Sequence, residues 1–331
     1  MPANLTPAYF EAEKRFRAAK TNQEKIIALE EMLAVMPKHK GTDHLKADLR
    51  RKIARLTQAS ERKSATQRAS MVLPKEGAAQ VVIVGLPNAG KSQLVASITK
   101  ANPNVADYPF TTQNATPGMM EFENIKIQLI DMPPLVSGSV PFWVPPMLRR
   151  ADTLLIMVDL NDNPLDQLIE ISMQLEELRI GIGEKKLESE EEEPGWTWKK
   201  VLIIGNKLDL AEENSTAKTD LQALRDEYKD QVPVLGISAK NGTGLEDLRL
   251  KVFEVLDIIR VYTKTPGQKP DLNDPIVLER GSTLADAAED VHKDFRAKLK
   301  FARLWGSGKH DGVMVKRDHV LEDGDVIELH I

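Results

Sequence analysis

The sequence predicts a doubly wound α/β domain, preceded by a helical hairpin and followed by a smaller C-terminal domain. Two observations carry that fold class. Residues 78–258 alternate short apolar runs with helical stretches. Three of the runs end in polar motifs, at 85–92, 206–209 and 238–240, and open α/β sheets bind ligands at the carboxyl ends of their strands.

Composition bounds the reading. A chain of 331 residues with 41 % hydrophobic content can bury the cores of two or three domains. With no cysteine, disulfides, thiolate metal sites and cysteine nucleophiles are excluded, and a reducing cytoplasm is the expected location. No signal peptide opens the chain and no apolar run approaches ~18 residues, so no membrane span is expected. The net charge of -5 is unevenly spread: residues 1–70 carry 15 Lys+Arg against 8 Asp+Glu, and residues 71–258 carry 18 against 29. The six histidines show no metal-ligand spacing and read as surface residues.

Residues 1–70 read as a helical hairpin and linker. Thr21 and Glu24 form a capping box, and Ile26, Leu29, Met32 and Leu33 make an apolar face ending at Pro37. Thr42 is the expected N-cap of a second helix with the stripe Leu45, Leu49, Ile53 and Leu56. Lys38-His39-Lys40 between them is a basic tip, read equally as a solvated turn or an RNA contact.

Residues 71–258 form the expected nucleotide-binding domain. Strands are predicted at 80–85, 118–123, 126–131, 153–159, 200–205 and 232–237. Only the turn at Glu123-Asn124 is short enough to join two of them as an antiparallel hairpin at the sheet edge. After the first strand comes G-x-x-x-x-G-K-[ST], with Gly85, Gly90, Lys91 and Ser92 at its fixed places. Gly85 leaves the strand through a turn that a side chain would obstruct, and Gly90 lets the backbone close on phosphates. The N–H groups of residues 88–92, Asn88 and Ala89 among them, are expected to form an anion nest at a helix N-terminus. Lys91 would place its charge between β- and γ-phosphates, and the Ser92 hydroxyl would hold Mg²⁺.

The base follows from Asn206-Lys207-Leu208-Asp209. Guanine offers two adjacent N–H donors that one carboxylate, Asp209, can accept, whereas adenine would leave that charge unpaired. Asn206 would bond the base and brace the loop, and the Lys207 stem would cover the ring. The third motif, Ser238-Ala239-Lys240, brings the Ala239 N–H within reach of guanine O6. The three motifs together predict GTP and GDP as ligands. Asp107–Thr112 lies in a loop long enough to fold over the nucleotide, where a threonine hydroxyl can ligate Mg²⁺ and its N–H meet the γ-phosphate. Asp131 ends its strand and is expected at Mg²⁺ through water. Residues 184–195 are an acidic, low-complexity insertion read as having no chemistry, with Trp196 and Trp198 packed beneath it.

The combination of GLPNAGKS, DYPFTT, NKLD and SAK with a C-terminal extension resembles the Obg-like GTPases, and most closely their developmentally regulated (DRG) branch. Residues 259–331, with Arg260-Val-Tyr-Thr-Lys-Thr, Leu304-Trp-Gly, His319 and Leu321-Glu-Asp-Gly-Asp-Val-Ile, resemble a TGS domain, a small β-grasp module. The hairpin resembles the one that precedes the core in that branch. The resemblance implies a cytoplasmic P-loop GTPase acting on ribosomes or translation. It makes Ser92 and Thr112 the Mg²⁺ ligands, with Thr112 preferred over Thr111, and places Lys91, Thr112 and Asn88 at the chemistry. Related GTPases with asparagine at position 88 bind K⁺ against the phosphates, where a cation offsets developing charge; a plain loop brace is the equal alternative.

Two departures qualify it. Pro134 stands where the family has glycine and has no N–H to give the γ-phosphate. Leu135 follows, so no glutamine orients the attacking water, and slow hydrolysis is expected. Between Lys293 and Arg317, eight basic residues (Lys293, Arg296, Lys298, Lys300, Arg303, Lys309, Lys316 and Arg317) face only Asp294 and Asp311 within that window. Ribosomal or structured RNA is the partner this suggests, with a solvated face as the alternative and a protein bound to the hairpin or TGS domain as a further one. The rival functions are a GTP-binding scaffold that does not hydrolyse, motivated by Pro134, and an RNA-processing accessory not bound to ribosomes.

Overall fold

The structure is a computed structural model and describes residues 7–19, 22–36, 46–55, 73–99, 116–136, 140–183, 195–212, 216–229, 231–308 and 310–330. The chain divides into two compact units, residues 1–73 and 74–331.

Within the first unit, α1 (Pro7–Ala18) packs on α2 (Asn22–Ala34), and α3 occupies residues 46–55. Its core joins Tyr9 and Ala12 of α1, Leu29 and Met32 of α2, and Leu49 of α3, with Phe16, Leu33 and Ile53 packed against them. The expected hairpin corresponds to α2 and α3. Helix α1 is an addition, because Tyr9, Ala12 and Phe16 are spaced by three and four among charged residues, too sparse a stripe to announce itself. Arg15 of α1 pairs with Glu31 of α2 at 2.9 Å. Thr21, the tip at 38–40, Thr42, Leu45 and Leu56 lie outside the described residues.

The second unit opens with a seven-stranded sheet. Its strands are β1 (Ala79–Val84), β2 (Thr116–Phe122), β3 (Ile125–Asp131), β4 (Thr153–Asp159), β5 (Ile180–Ile182), β6 (Thr197–Asn206) and β7 (Val234–Gly236). The order is β2-β3-β1-β4-β6-β5, with β7 also paired to β6. Every pairing is parallel except β2 with β3. That hairpin turns at Glu123-Asn124 and puts β2 at the sheet edge, as its sequence indicates. Strand β5 was not foreseen: Ile-Gly-Ile is too short to show periodicity. Helices α4 (Lys91–Ile98), α5 (Val144–Arg150), α6 (Pro164–Glu177), α7 (Thr216–Tyr228) and α8 (Leu245–Leu256) intervene between the strands. Val81, Ile83, Leu129, Leu155 and Ile204 are fully buried between the layers. Strand β1 is flanked by β3 and β4, so the strand order reverses there and opens a crevice at its carboxyl end.

Strands β8 (Ile258–Thr263), β9 (Ile276–Glu279), β10 (Phe301–Trp305), β11 (Val313–Val315) and β12 (Val326–His330) form a second sheet, ordered β11-β10-β12-β8-β9. The β8–β12 pair is parallel within otherwise antiparallel pairings. Helices α9 (Leu284–Val291) and α10 (Lys293–Lys298) accompany it. The α9 start carries a reciprocal capping box between Thr283 and Asp286. Leu284, Ala287, Ala302, Leu304 and Ile327 make its separate core.

Arg260 of β8 joins the two sheets. Its guanidinium donates twice to Asp323 (3.0 and 2.8 Å) and also reaches Glu123 and Asn124 in the β2–β3 turn. It lies 5.0 Å over the Phe253 ring, which stacks on Phe122. Asn124 completes the joint by donating to the Tyr262 hydroxyl and the Leu272 carbonyl.

Candidate nucleotide-binding site

Strand β1 delivers the phosphate loop to the crevice. Gly85 passes so close to β4 that a β-carbon there would lie 2.5 Å from the Met157 carbonyl oxygen, so only glycine fits. Gly90, directly before α4, has φ +98°, and a β-carbon on it would collide with the Asn206 side-chain amide. The N-terminus of α4 has no side-chain cap, which leaves its first N–H groups for a ligand. Lys91 is 7 % exposed and donates to the carbonyls of Gly85 and Leu86 at 3.0 and 2.9 Å. Burial lowers the pKa of its ammonium, and the Asp131 charge opposes that shift.

Asp131 sits at the end of β3, in register with Ile83 of β1. Ser92 Oγ donates to its Oδ2 at 2.5 Å, while Asp131 Oδ1 is buried without a protein partner. Burial raises the Asp131 pKa, and the Ser92 hydrogen bond and Lys91 charge pull the other way. Two hard oxygens side by side, one of them an unpaired buried carboxylate oxygen, suit a divalent cation such as Mg²⁺. A cleft of about 410 Å³ runs past Asn88, Gly90, Lys91, Ser92, Asp131 and Pro134. Asn88 has φ +63°, is exposed, and among the described residues its side chain has no hydrogen-bond partner. Leu135 is 1 % exposed and is not among the residues lining the cleft. Thr112 and Thr111 lie outside the described residues, as does the acidic stretch 184–194.

The base side is held together by Asn206, which is 3 % exposed. Its Nδ2 donates to the Ala89 carbonyl at 2.8 Å, and its Oδ1 accepts from the Ala239 N–H at 3.0 Å. One side chain thus ties all three motif loops. The Ala239 N–H, expected to face guanine O6, is therefore engaged by Asn206. The reason is geometric: the loops close on each other more tightly than their separate motifs reveal. Asp209 stands in a 3₁₀ turn (Leu208–Glu212), where Ser238 Oγ donates to its Oδ1 at 2.6 Å. The Asn241 N–H in turn bonds Ser238 Oγ, and Lys240 is exposed. Lys207 has φ +66° and pairs with Asp159.

Sequence reasoning missed Asp159, Asn161 and Gln167, which surround Lys207 and the end of β4. The available signal was a carboxylate closing the apolar run 153–159, as Asp131 closes 125–131. Trp196 and Trp198 stack on each other with centroids 6.1 Å apart, and Trp198 stays 41 % exposed. His330 is not simply a surface residue: it stacks on Phe301 and bonds Glu328. The basic run of the C-terminal sheet is also less free than its sequence suggests. Acids from α9, outside the window, pair with Arg296 (Asp286 and Glu289), Lys298 lies 3.9 Å from Asp294, and Arg317 bonds the Leu299 and Ala297 carbonyls.

Comparison with known proteins agrees with this geometry. The family described as 50S ribosome-binding GTPase matches residues 80–189, and the TGS domain matches residues 259–331. The chain is 30 % identical to an uncharacterized GTP-binding protein of Methanocaldococcus jannaschii, over 93 % of each chain. It is 27 % identical to a developmentally-regulated GTP-binding protein 2 homolog of Dictyostelium discoideum, over 92 % of this chain and 98 % of that one. Identity to the Saccharomyces cerevisiae protein named ribosome-interacting GTPase 1 is 26 %, over 93 % and 99 %. Among solved structures, the Schizosaccharomyces pombe YchF GTPase shares the fold with a TM-score of 0.51 at 15 % identity, over 78 % of this chain and 99 % of that one.

Proposed function

Because the chain belongs to the developmentally regulated branch of the Obg-like GTP-binding proteins, we propose that it is a slow GTPase whose bound guanine nucleotide governs its association with ribosomes. The observation that carries the nucleotide reading is the Asn206 side chain, which joins the phosphate loop to both base-reading loops.

In this reading the loop amides and Lys91 grip the triphosphate, and Asp209 accepts the paired N–H donors of guanine. Bound Mg²⁺ would be held by Ser92, Asp131 and Thr112, and would neutralise charge on the β- and γ-phosphate oxygens. Thr112 and the segment after Asp131 close over the γ-phosphate and are released once it leaves. That shifts a population only if the two nucleotide states make different contacts. Pro134 has no N–H to offer and Leu135 is buried, so neither of these two residues orients water. Turnover at or below about 10⁻⁴ to 10⁻³ per second is expected. Asn88 lines the cleft with Lys91 and Ser92, which supports a K⁺ ion against the phosphates, where a cation would offset developing charge.

Three observations favour the ribosome: the match to a family described as 50S ribosome-binding, the name of the yeast relative, and the excess of basic residues in 1–70. On the TGS domain the exposed Lys293, Arg303 and Lys316 are the side chains that would meet RNA phosphate. A cytoplasmic location goes with this reading, as does a partner protein on the N-terminal helices or the TGS domain.

Pro134 and Leu135 also favour a second reading, a GTP-binding scaffold that does not hydrolyse. Single-turnover phosphate release with and without ribosomes separates the two: release that ribosomes accelerate supports the switch, and none in either condition supports the scaffold. Co-sedimentation with ribosomes in GDP against a non-hydrolysable GTP analogue tests the partner. Equal recovery in both states, or none in either, rejects nucleotide-governed ribosome binding and leaves a different RNA as the target.

A further inference from the structure

Lys207 is held from outside the three motif loops. Its ammonium donates to Oδ2 of Asp159 at 2.5 Å, and the two side chains are 31 % and 16 % exposed. The other Asp159 oxygen accepts from the Asn161 N–H at 3.0 Å and from Asn161 Nδ2 at 3.3 Å. Asn161 Nδ2 also donates to the Lys207 carbonyl at 3.2 Å, so the lysine is gripped at its backbone as well as its head. Gln167 of α6 brackets Asp159 itself, accepting from its N–H at 3.0 Å and donating to its carbonyl at 3.1 Å.

A lysine stem that lies on a purine face must give up the rotamer freedom of four methylenes, and whatever part of that freedom is already lost in the empty protein is not charged to binding. The Asp159 carboxylate does this by holding the ammonium at a fixed point. We propose that Asp159 is a positioning residue for guanine nucleotide binding, acting through Lys207: it orders the lysine stem over the base site before the ligand arrives. The proposal rests on the guanine reading of the 206–209 loop. It assigns to β4 and α6 a part in nucleotide affinity that none of the three motifs contains. Base discrimination stays with Asp209, since a methylene stem cannot tell guanine from hypoxanthine.

The test is a double-mutant cycle read by calorimetric titration of GDP and IDP into the full-length protein. Asp159→Asn keeps an acceptor for the Asn161 N–H and removes the charge facing Lys207. It is expected to weaken both nucleotides by the same factor, about five- to tenfold, with the ratio of GDP to IDP affinity unchanged. Lys207→Met keeps the stem and removes the ammonium, and should cost a similar factor alone. In the Lys207→Met background, Asp159→Asn should add less than about twofold, because the partner is already gone. If Asp159→Asn does not fold, Lys207→Met breaks the same pair from its other end, and unchanged affinity there overturns the proposal. So does an Asp159→Asn effect of full size in the Lys207→Met background, which would mark Asp159 as merely structural. Wild-type protein that binds GDP while Asp159→Asn binds it equally well rejects this proposal alone; wild-type protein that binds neither nucleotide rejects the guanine reading with it.

Discussion

Gly90 and Asn206, 116 positions apart in the chain, are packed so closely that a methyl group on the glycine would occupy the space of the asparagine amide. The phosphate loop and the base loop are thus one mechanical unit, and the glycine serves two ends at once: the φ of +98° and the room for the brace.

Gly90→Ala should therefore impair both halves of the pocket. Alanine in the left-handed region costs about 1–2 kcal/mol, and displacing the Asn206 hydrogen bonds costs about 1 kcal/mol more. Guanine nucleotide affinity is expected to fall roughly 30- to 140-fold, measured with a fluorescent GDP analogue. A loss under twofold would mean that the brace does not couple the loops.

Asp209→Asn should change which base is bound. Ser238 can still donate to the side-chain oxygen at 209, but the acceptor pair for the guanine N–H groups is lost. Xanthine, with a carbonyl in place of the exocyclic amine, can instead accept from the new amide. GTP affinity should drop at least about a hundredfold, the scale on which a buried polar mismatch is rejected, and XTP should bind better than GTP. Competition titration with the two nucleotides reads this directly.

Arg260→Ala should loosen the TGS domain from the β2–β3 hairpin. Arg260 is 9 % exposed, and removing it strands the Asp323 carboxylate, whose side chain is 28 % exposed. A cost of about 2–3 kcal/mol is expected, below that of a fully buried pair because Asp323 retains some solvent. The signature is a lower melting temperature together with faster proteolysis between residues 256 and 276.

The same pair sets an acid limit. Burial works to raise the Asp323 carboxyl, but the hydrogen bonds from Arg260 outweigh it and hold the pKa below the ordinary aspartate value. A depressed folded pKa gives stability that is present above about pH 4, the unfolded value, and is lost as pH falls through the folded one. Wild-type protein should lose melting temperature as pH falls below about 4. The gap between wild type and Arg260→Ala should narrow over that range; a gap that stays constant would show that the pair does not titrate.

Potassium should stimulate turnover if Asn88 holds it against the phosphates. Phosphate release in KCl buffer is expected to exceed that in NaCl at equal ionic strength, and Asn88→Ala should abolish the difference. Equal rates in both salts would remove the ion from the mechanism.

Much of this was legible in sequence because it is local. The phosphate loop, the Asn206–Asp209 motif and the β2–β3 turn are each set by a few contiguous residues, and apolar strands lead into the first two. What stayed hidden is long-range. Nothing near Asp159 announces that Lys207, 48 positions on, will pair with it, and Arg260 meets Glu123 and Asp323 only once two sheets have formed. Helix α1 and strand β5 were missed because one stripe is sparse and the other run is three residues long. The partners of Arg296 in the basic run near the C-terminus were hidden for the same reason: the acids that pair with it come from the preceding helix.

Calorimetric titration of the purified protein with GDP and with ADP, in Mg²⁺ and K⁺ buffer, tests the pocket most directly. Saturable heat with GDP and none with ADP at the same concentrations is the expected result. Equal binding of the two nucleotides, or binding of neither, would contradict the reading of Asp209 and of the whole site.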